Sequence, residues 1–485
     1  MRRMSARGGP PGPKPRGRTA GAPAARPAPP DIFDAAIAAH RAGRLDEAMA
    51  LYDQAIAKGV RRSGAFTNIG VILRQRRHFA AAAAAHRKAL ELVPDDPGIL
   101  GNLGNALKDD GCFAEAIAIK RRVVGLAGGN ADALHSLGIA LRDAGELEEA
   151  DAVFAQALAL KPDDPEIRFN LALTQLHLEN FATGWQHYEA RWQLERQKKR
   201  AFAQPWWHGE PFAGRTLLLF AEQGFGDTIQ FIRFAPQVKA LGGKVVLECQ
   251  PELTRLMRSA EGVDELVVRE TPEAEAMAAA ADLVCPLASL PGIFSASLTR
   301  PQGRVPYLAP PAGSGRKFAP LLARARGRLK VGIVWSGSVT FSNNANRSAG
   351  LDPYLPLAGI PGVQLIGLQK GPRLDELKAL GTGSLILDAS PLLEDFADTA
   401  ALIQELDLVL MTDSAVAHLT GALGRPLWVM LMHHPDWRWL RDRPDCPWYP
   451  SARLFRQKAP RDWEQVFVEV GDELARLAAP YTART

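Results

Sequence analysis

Residues 97–130, PGILGNLGNALKDDGCFAEAIAIKRRVVGLAGGN, and residues 131–164, ADALHSLGIALRDAGELEEADAVFAQALALKPDD, lie one over the other without a gap, each 34 residues long. The register extends outward to five units between Pro29 and about Lys198. A small residue recurs at Ala36, Gly70, Gly104, Gly138 and Ala172, preceded in four units by Ile69, Leu103, Leu137 and Leu171. Twelve residues on, small side chains return at Ala48, Ala82, Ala116, Ala150 and Gly184. Small residues at two fixed points of such a period imply two antiparallel helices that cross closely in every unit. A bulkier group follows four residues later at Tyr52, His86, Phe154 and Tyr188, with Lys120 as the exception. Pro94 and Pro162 end the second helix of their units, because proline has no N–H to donate.

This register resembles the tetratricopeptide repeat and covers about 170 residues. Helical hairpins of this kind stack into a solenoid whose concave face can hold a peptide, a protein or a neighbouring domain. Asn68, Asn102 and Asn170 recur at one helical position. They are candidates for clamping the backbone of an acceptor peptide through bidentate amide hydrogen bonds, with plain solvent exposure as the alternative.

The helical register spans residues 31–200 and gives way to a connector, 201–214, that holds Pro205, Trp206, Trp207, Gly209, Pro211 and Gly214. Adjacent tryptophans seldom face water, so Trp206 and Trp207 are expected to cement the solenoid to the next domain. Beyond them, short apolar runs alternate with helical patterns, the mark of parallel sheets covered by helices. Strands are expected at Thr216–Phe220, Lys244–Glu248 and Glu265–Val268 in a first Rossmann-like unit, residues 215–310. After a linker at 311–328, a second unit, residues 329–485, offers Lys330–Trp335, Val363–Leu368, Ser384–Leu387, Leu408–Thr412 and Pro426–Leu431. Two doubly wound units in tandem leave a cleft beyond their strand C-termini. A last helix, roughly Asp462–Ala478, is expected to cross back and brace the first unit.

Three loops at strand ends carry candidate chemistry. AEQGFGDT, residues 221–228, has Gly224 and Gly226 where a ligand could approach the backbone, and Asp227 at the start of a helix. Asp227 reads either as a helix cap or as a carboxylate on the cleft floor. MTDSAVAHLTGALGRP, residues 411–426, opens a second helix with Asp413 and Ser414. The free amides of Ser414, Ala415 and Val416 there would suit a diphosphate, and His418 one turn in could donate a charge-assisted hydrogen bond. WSGSVTFSNNANRS, residues 335–348, supplies Gly337 and the planar donor fork of Arg347.

Taken together, EQGFGDTIQF, VGIVWSGS with NRS downstream, and DSAVAHLTGALGRPLW followed by DWRWL and PWYP resemble the C-terminal domain of bacterial tetratricopeptide-repeat glycosyltransferases related to the heptosyltransferases. The resemblance spans about residues 205–480. It implies a GT-B fold, two Rossmann-like units facing a cleft, and an inverting reaction with neither metal nor cofactor. The donor substrate would be a nucleotide-sugar. By the same resemblance Asp227 is the general base, Asp413, Ser414, Ala415 and His418 hold the donor, and Arg347 stabilises the leaving phosphate. Lys370 in LQKG is a second candidate for phosphate or ribose contact. Heptosyltransferases usually carry Thr-Gly where this chain has Ser414 and Ala415, so hexose, heptose and nonulosonic acid all stay open as the donor sugar.

Composition bounds the rest. The formal charge is +5, but seven basic side chains and no acidic one lie in residues 1–30, which leaves 51 basic against 53 acidic groups beyond them. Eight prolines and five glycines in that stretch point to a flexible basic tail, and no nucleic-acid partner is expected. No apolar run approaches the roughly 18 residues that span a bilayer, and no secretory signal is seen, so the expected compartment is the cytoplasm. Cys112, Cys249, Cys285 and Cys446 form neither a CxxC pair nor a zinc spacing. His433, His434 and Asp436 are candidate metal ligands, but adjacent histidines point to different faces and no further ligand at regular spacing completes a site, and Trp437, Trp439 and Trp448 read as packing under a loop. The resulting expectation is a glycosyltransferase whose solenoid presents an acceptor, a protein Ser or Thr hydroxyl such as one on flagellin. The alternatives are a transferase acting on saccharide or lipid-linked glycan, and a non-catalytic adaptor with a degenerate sugar-nucleotide domain.

Overall fold

A computed structural model describes residues 31–194, 202–297, 303–338, 344–381 and 383–482. The basic tail, the first residue of the connector and residues 339–343 of the third loop lie outside the described residues. The chain divides into two compact units between Ile99 and Leu100.

The period of 34 becomes helix pairs. The first unit holds α1 (Ile32–Arg41), α2 (Leu45–Ala57), α3 (Arg62–Gln75) and α4 (Phe79–Leu92). Then come α5 (Pro97–Asp110), α6 (Phe113–Leu126), α7 (Ala131–Ala144), α8 (Leu147–Leu160), α9 (Pro165–His177) and α10 (Phe181–Tyr188). Caps set the starts: Asp31, Asn130 and Asp164 accept from first-turn amides of α1, α7 and α9. The repeating small residue has a direct cause. A Cβ built on Gly70, Gly104 or Gly138 would lie 2.5, 2.7 or 2.6 Å from His86, Lys120 or Phe154, the bulky residue sixteen positions on in the same pair. The exceptional Lys120 fills the same slot as those aromatic rings at 2% exposure, its ammonium donating to Gly101 O, Asn105 Oδ1 and Ser136 Oγ at 2.9, 2.7 and 2.7 Å.

Downstream, ten strands among the described residues form two parallel sheets. The first contains β1 (Thr216–Phe220), β2 (Lys244–Cys249), β3 (Glu265–Val268) and β4 (Leu283–Pro286), in the order β3-β2-β1-β4. The second contains β5 (Leu329–Val334), β6 (Val363–Gly367), β7 (Ile386–Asp388), β8 (Leu408–Thr412), β9 (Leu427–Leu431) and β10 (Ala452–Arg456). Its order, β10-β9-β8-β5-β6-β7, is the full doubly wound arrangement, with strand order reversing between β5 and β8. All ladders are parallel, and β6 and β8 are buried throughout, as sheets covered on both faces require.

The last helix pair of the solenoid shares a core with the sheets. Ala172, Leu176, Phe181, Trp185 and Tyr188 join one cluster with Leu217, Leu219, Trp437 and Trp448. Trp206 does the expected cementing, stacked edge-on between Trp192, just after α10, and Phe220 at the end of β1. Trp207 instead packs on Phe212 and Phe294 within the first sheet unit. The final helix, Trp463–Thr482, corrects the expected brace: Phe467 meets Tyr354, and Val466, Val470 and Leu474 join the second unit's core with Leu357 and Phe455. Its apolar stripe finds a partner on the sheet it follows, so it has no need to cross to the first unit.

Candidate functional site

A cavity of about 1080 Å³ lies where the loops after β1, β5, β6 and β8 converge. All ten cleft residues singled out in the sequence line it: Asp227, Gly224, Gly226, Gly337, Arg347, Lys370, Asp413, Ser414, Ala415 and His418. The solenoid supplies one wall through Phe169 and Leu173 of α9 and Tyr188 of α10.

The loop after β1 leads into α11 (Phe225–Phe231). Gly224, not Asp227, is its cap; Asp227 stands three residues on, and its Oδ2 accepts from the Gly224 N–H at 3.0 Å. Oδ1 accepts from Arg438 Nη2 at 2.6 Å. Burial holds the Asp227 carboxyl above its ordinary range, against the pull of Arg438. Arg438 also donates to Gln230 and Asp436, both at 2.9 Å, and lies over the Trp437 ring at 4.4 Å. It thus ties the first sheet unit to the second at the cavity floor.

Gly226 lets α11 approach the helix Ala415–Ala422, since a Cβ there would sit 2.8 Å from His418 Cδ2. Ser414 caps that helix in extended conformation, and its hydroxyl makes no bond to the first-turn amides. Asp413 turns away from the helix toward Arg347, 3.7 Å off, and burial raises its carboxyl against that cation. Burial, reinforced by Arg438, lowers His418 to about 3. Its ring is therefore neutral near pH 7, so any hydrogen bond it gives to an anion draws its charge from the acceptor.

In the loop after β5, Gly337 makes room for Arg347, whose Nη2 would come within 2.6 Å of a Cβ. Gln369 braces that loop by accepting from the Trp335 and Ser336 amides at 3.2 and 3.0 Å. Lys370 lines the cavity, but its ammonium donates to the carbonyls of Ser390 and Leu393 at 3.2 and 2.7 Å. Arg347 lines the cavity beside Asp413, the residue before the helix cap Ser414.

Comparison with known proteins accounts for the helices. A profile described as Tetratricopeptide repeat matches residues 67–131, and one described as TPR repeat matches residues 138–178. The helical region is built of tetratricopeptide repeats. Protein FlbA of Caulobacter vibrioides is 27% identical over 351 residues, an alignment covering 67% of this chain and 58% of FlbA. The chain therefore spans little more than half the length of that relative, and the match extends past the repeats into the α/β region. Among solved structures, MamA of Desulfovibrio magneticus RS-1 is 20% identical, with 35% of this chain and 96% of that one covered at a TM-score of 0.32. YrrB, titled a TPR protein with an unusual peptide-binding site, is 21% identical, with 34% and 85% covered at a TM-score of 0.30.

None of the asparagines of the repeats is among the residues that line the cavity. The Asn170 amide is spent within the repeats: Oδ1 accepts from Arg142 at 2.6 Å, and Nδ2 meets the Glu166 carbonyl at 2.8 Å and His135 Nε2 at 3.0 Å. Asn68 bonds the Tyr52 hydroxyl of its own unit. Asn102 is half-buried on α5. His433 faces Gln457 O at 3.0 Å, while His434 packs over Gly145 and edge-on to Phe113. Among the described residues no group of three or more His, Cys, Asp or Glu could hold a metal ion, and no helix is long and apolar enough to cross a membrane. Trp437, Trp439 and Trp448 are at most 2% exposed and pack beneath the loop.

Proposed function

We propose that the chain is an inverting glycosyltransferase of GT-B type, moving a sugar from a nucleotide-sugar to a protein Ser or Thr hydroxyl presented by the solenoid. The observation that carries this reading is one cavity joining the C-terminal ends of both sheets with the last repeat as a wall. Ligands of doubly wound sheets sit at such ends, and the second sheet reverses its order between the two strands whose loops hold Arg347 and Ser414.

In this reading the diphosphate rests on the first-turn amides of the helix Ala415–Ala422, favoured by the helix dipole. The acceptor oxygen attacks the anomeric carbon as the bond to the phosphate oxygen breaks. Asp227 takes the hydroxyl proton, and the nucleotide leaves with its new charge facing Arg347 and the helix N-terminus. No step asks for a metal.

One observation favours the adaptor reading: both Asp227 oxygens already accept a hydrogen bond, which suits a structural carboxylate. Intact mass of candidate acceptor proteins, co-expressed with the wild type or with Asp227→Ala, decides between them. A sugar-sized increment that disappears in the variant supports transfer. Donor binding by the purified chain, with no increment on any protein and a labelled product on lipid-linked or free saccharide, would move the acceptor class. Neither binding nor transfer would leave the adaptor.

A further inference from the structure

His418 is fixed on three sides. Trp439 lies against one face of its ring, with centroids 5.3 Å apart and planes 25° apart. The Cδ2–Nε2 edge is turned to Gly226, where any Cβ would collide with it. On the remaining side Nδ1 stands 2.9 Å from the Tyr449 hydroxyl. Tyr449 is itself 1% exposed and seated against Gly421, where a Cβ would come within 2.3 Å of its ring. A phenol so buried keeps its proton, and burial raises Tyr449 well above the ordinary value. A buried hydroxyl hydrogen needs an acceptor, and Nδ1 is at the right distance.

We propose that Tyr449 is a positioning residue of the candidate site: its hydroxyl donates to His418 Nδ1 and so locks the ring as the Nε2–H tautomer, a neutral donor for an anionic ligand group. The identity of that group as a donor phosphate rests on the reading above; the tautomer does not. The surrounding charges agree with a neutral ring. Arg438, Arg233 and Arg347 oppose its protonation, while Asp436 favours it. Arg233 also lies 5.3 Å over the Tyr449 ring, and Tyr307 faces the same hydroxyl. A neutral N–H fixed by its second nitrogen behaves like a backbone amide: it binds an anion without titrating, and the site does not lose it as pH rises through the ordinary histidine range.

The test is nitrogen-15 spectroscopy of the full chain labelled at histidine, with His418→Gln used to assign the signals. In the wild type, His418 is expected to show a protonated Nε2 and an unprotonated Nδ1, unchanged from about pH 8 to about pH 5. Tyr449→Phe is expected to move both signals toward their tautomeric mean. A protonated Nδ1, a ring that becomes cationic by about pH 6, or signals indifferent to Tyr449→Phe would overturn the assignment. Should Tyr449→Phe fail to fold, the wild-type tautomer decides alone. UDP, GDP and CMP are then added separately to the wild type. A shift of Nε2 by one of them links the donor to the nucleotide, whereas a locked tautomer that none of them moves supports Tyr449 and counts against the donor reading.

Discussion

Asp227 and Arg438 meet at 2.6 Å although 211 residues separate them. The aspartate was legible because it follows a strand and two glycines in an eight-residue loop. Nothing local marks the arginine beyond its place between two buried tryptophans in DWRWL, so no reading of that stretch alone assigns it a partner. The neutral state of His418 was likewise hidden, since it depends first on burial in the assembled cleft and then on Arg438, Arg233 and Arg347, brought in from distant parts of the chain. The pair has a consequence for pH. Burial raises the folded-state pKa of Asp227, so it takes up a proton at a higher pH than an ordinary aspartate. On the proposed reading Asp227 must be ionised to act as the general base, so transfer should fall on acidification before the usual carboxylate range, near pH 4, is reached. Linkage has the same origin: the cost of burying the charge is present above the folded pKa and is relieved as pH falls through it. Asp227→Asn should lower the rate about 10²- to 10⁴-fold, while Arg438 keeps Asp436 and Gln230 as partners and the melting temperature changes little. Initial rates and melting curves on one preparation check both halves; an Asn variant with wild-type rate would remove Asp227 from the chemistry.

At the scale of elements the sequence was most informative where a period repeats or a strand is wholly apolar. The eight expected strands lie within about two residues of β1–β3 and β5–β9. β4 escaped notice because it is four residues ending in Pro286, and β10 because arginines at Arg453 and Arg456 break its apolar run. The destination of the last helix could not be read either, since an amphipathic stripe specifies burial without naming the surface. The helix pairs allow a sharper test, because two glycines in adjacent repeats have opposite surroundings. A Cβ at Gly138 would lie 2.6 Å from the Phe154 ring, whereas a Cβ at Gly101 meets nothing within 4 Å. Gly138→Ala must displace a fully buried phenylalanine and is expected to cost about 1–3 kcal/mol. Gly101→Ala removes backbone freedom from the unfolded chain inside α5 and should stabilise by about 0.5–1 kcal/mol. Its carbonyl still accepts from Lys120. Urea unfolding of the two variants should therefore move in opposite directions, and equal shifts would mean that the close crossing does not set the residue type.

Over the whole molecule, the question is why the last helix pair of the repeats shares a core with the sheets instead of hanging from a linker. The joint is polar as well as apolar. Just after α10, Arg191 is 1% exposed and donates through Nε and Nη2 to Glu222, itself 3% exposed and two residues before Gly224. Its other donors go to Glu189 and Ser289, both at 2.7 Å, while Tyr188 and Gln223 bond through their side chains. The last turn of the repeats therefore grips the loop that carries Asp227, and a movement of that turn would be felt at the cavity. Burial pushes Glu222 up even with Arg191 beside it, so the carboxylate depends on its partner to stay ionised. Removing one member should leave the other buried and uncompensated: Arg191→Met alone is expected to cost about 3–5 kcal/mol. Arg191→Met combined with Glu222→Met buries two apolar chains of similar size and should recover most of that loss, giving a large coupling energy in the double-mutant cycle. On the proposed reading, binding of the nucleotide part of the donor, measured on the stable double variant, then separates two roles. Unchanged affinity would make the pair a weld between repeats and sheets, whereas weakened affinity with restored stability would show that the repeats set the geometry of the glycine-rich loop.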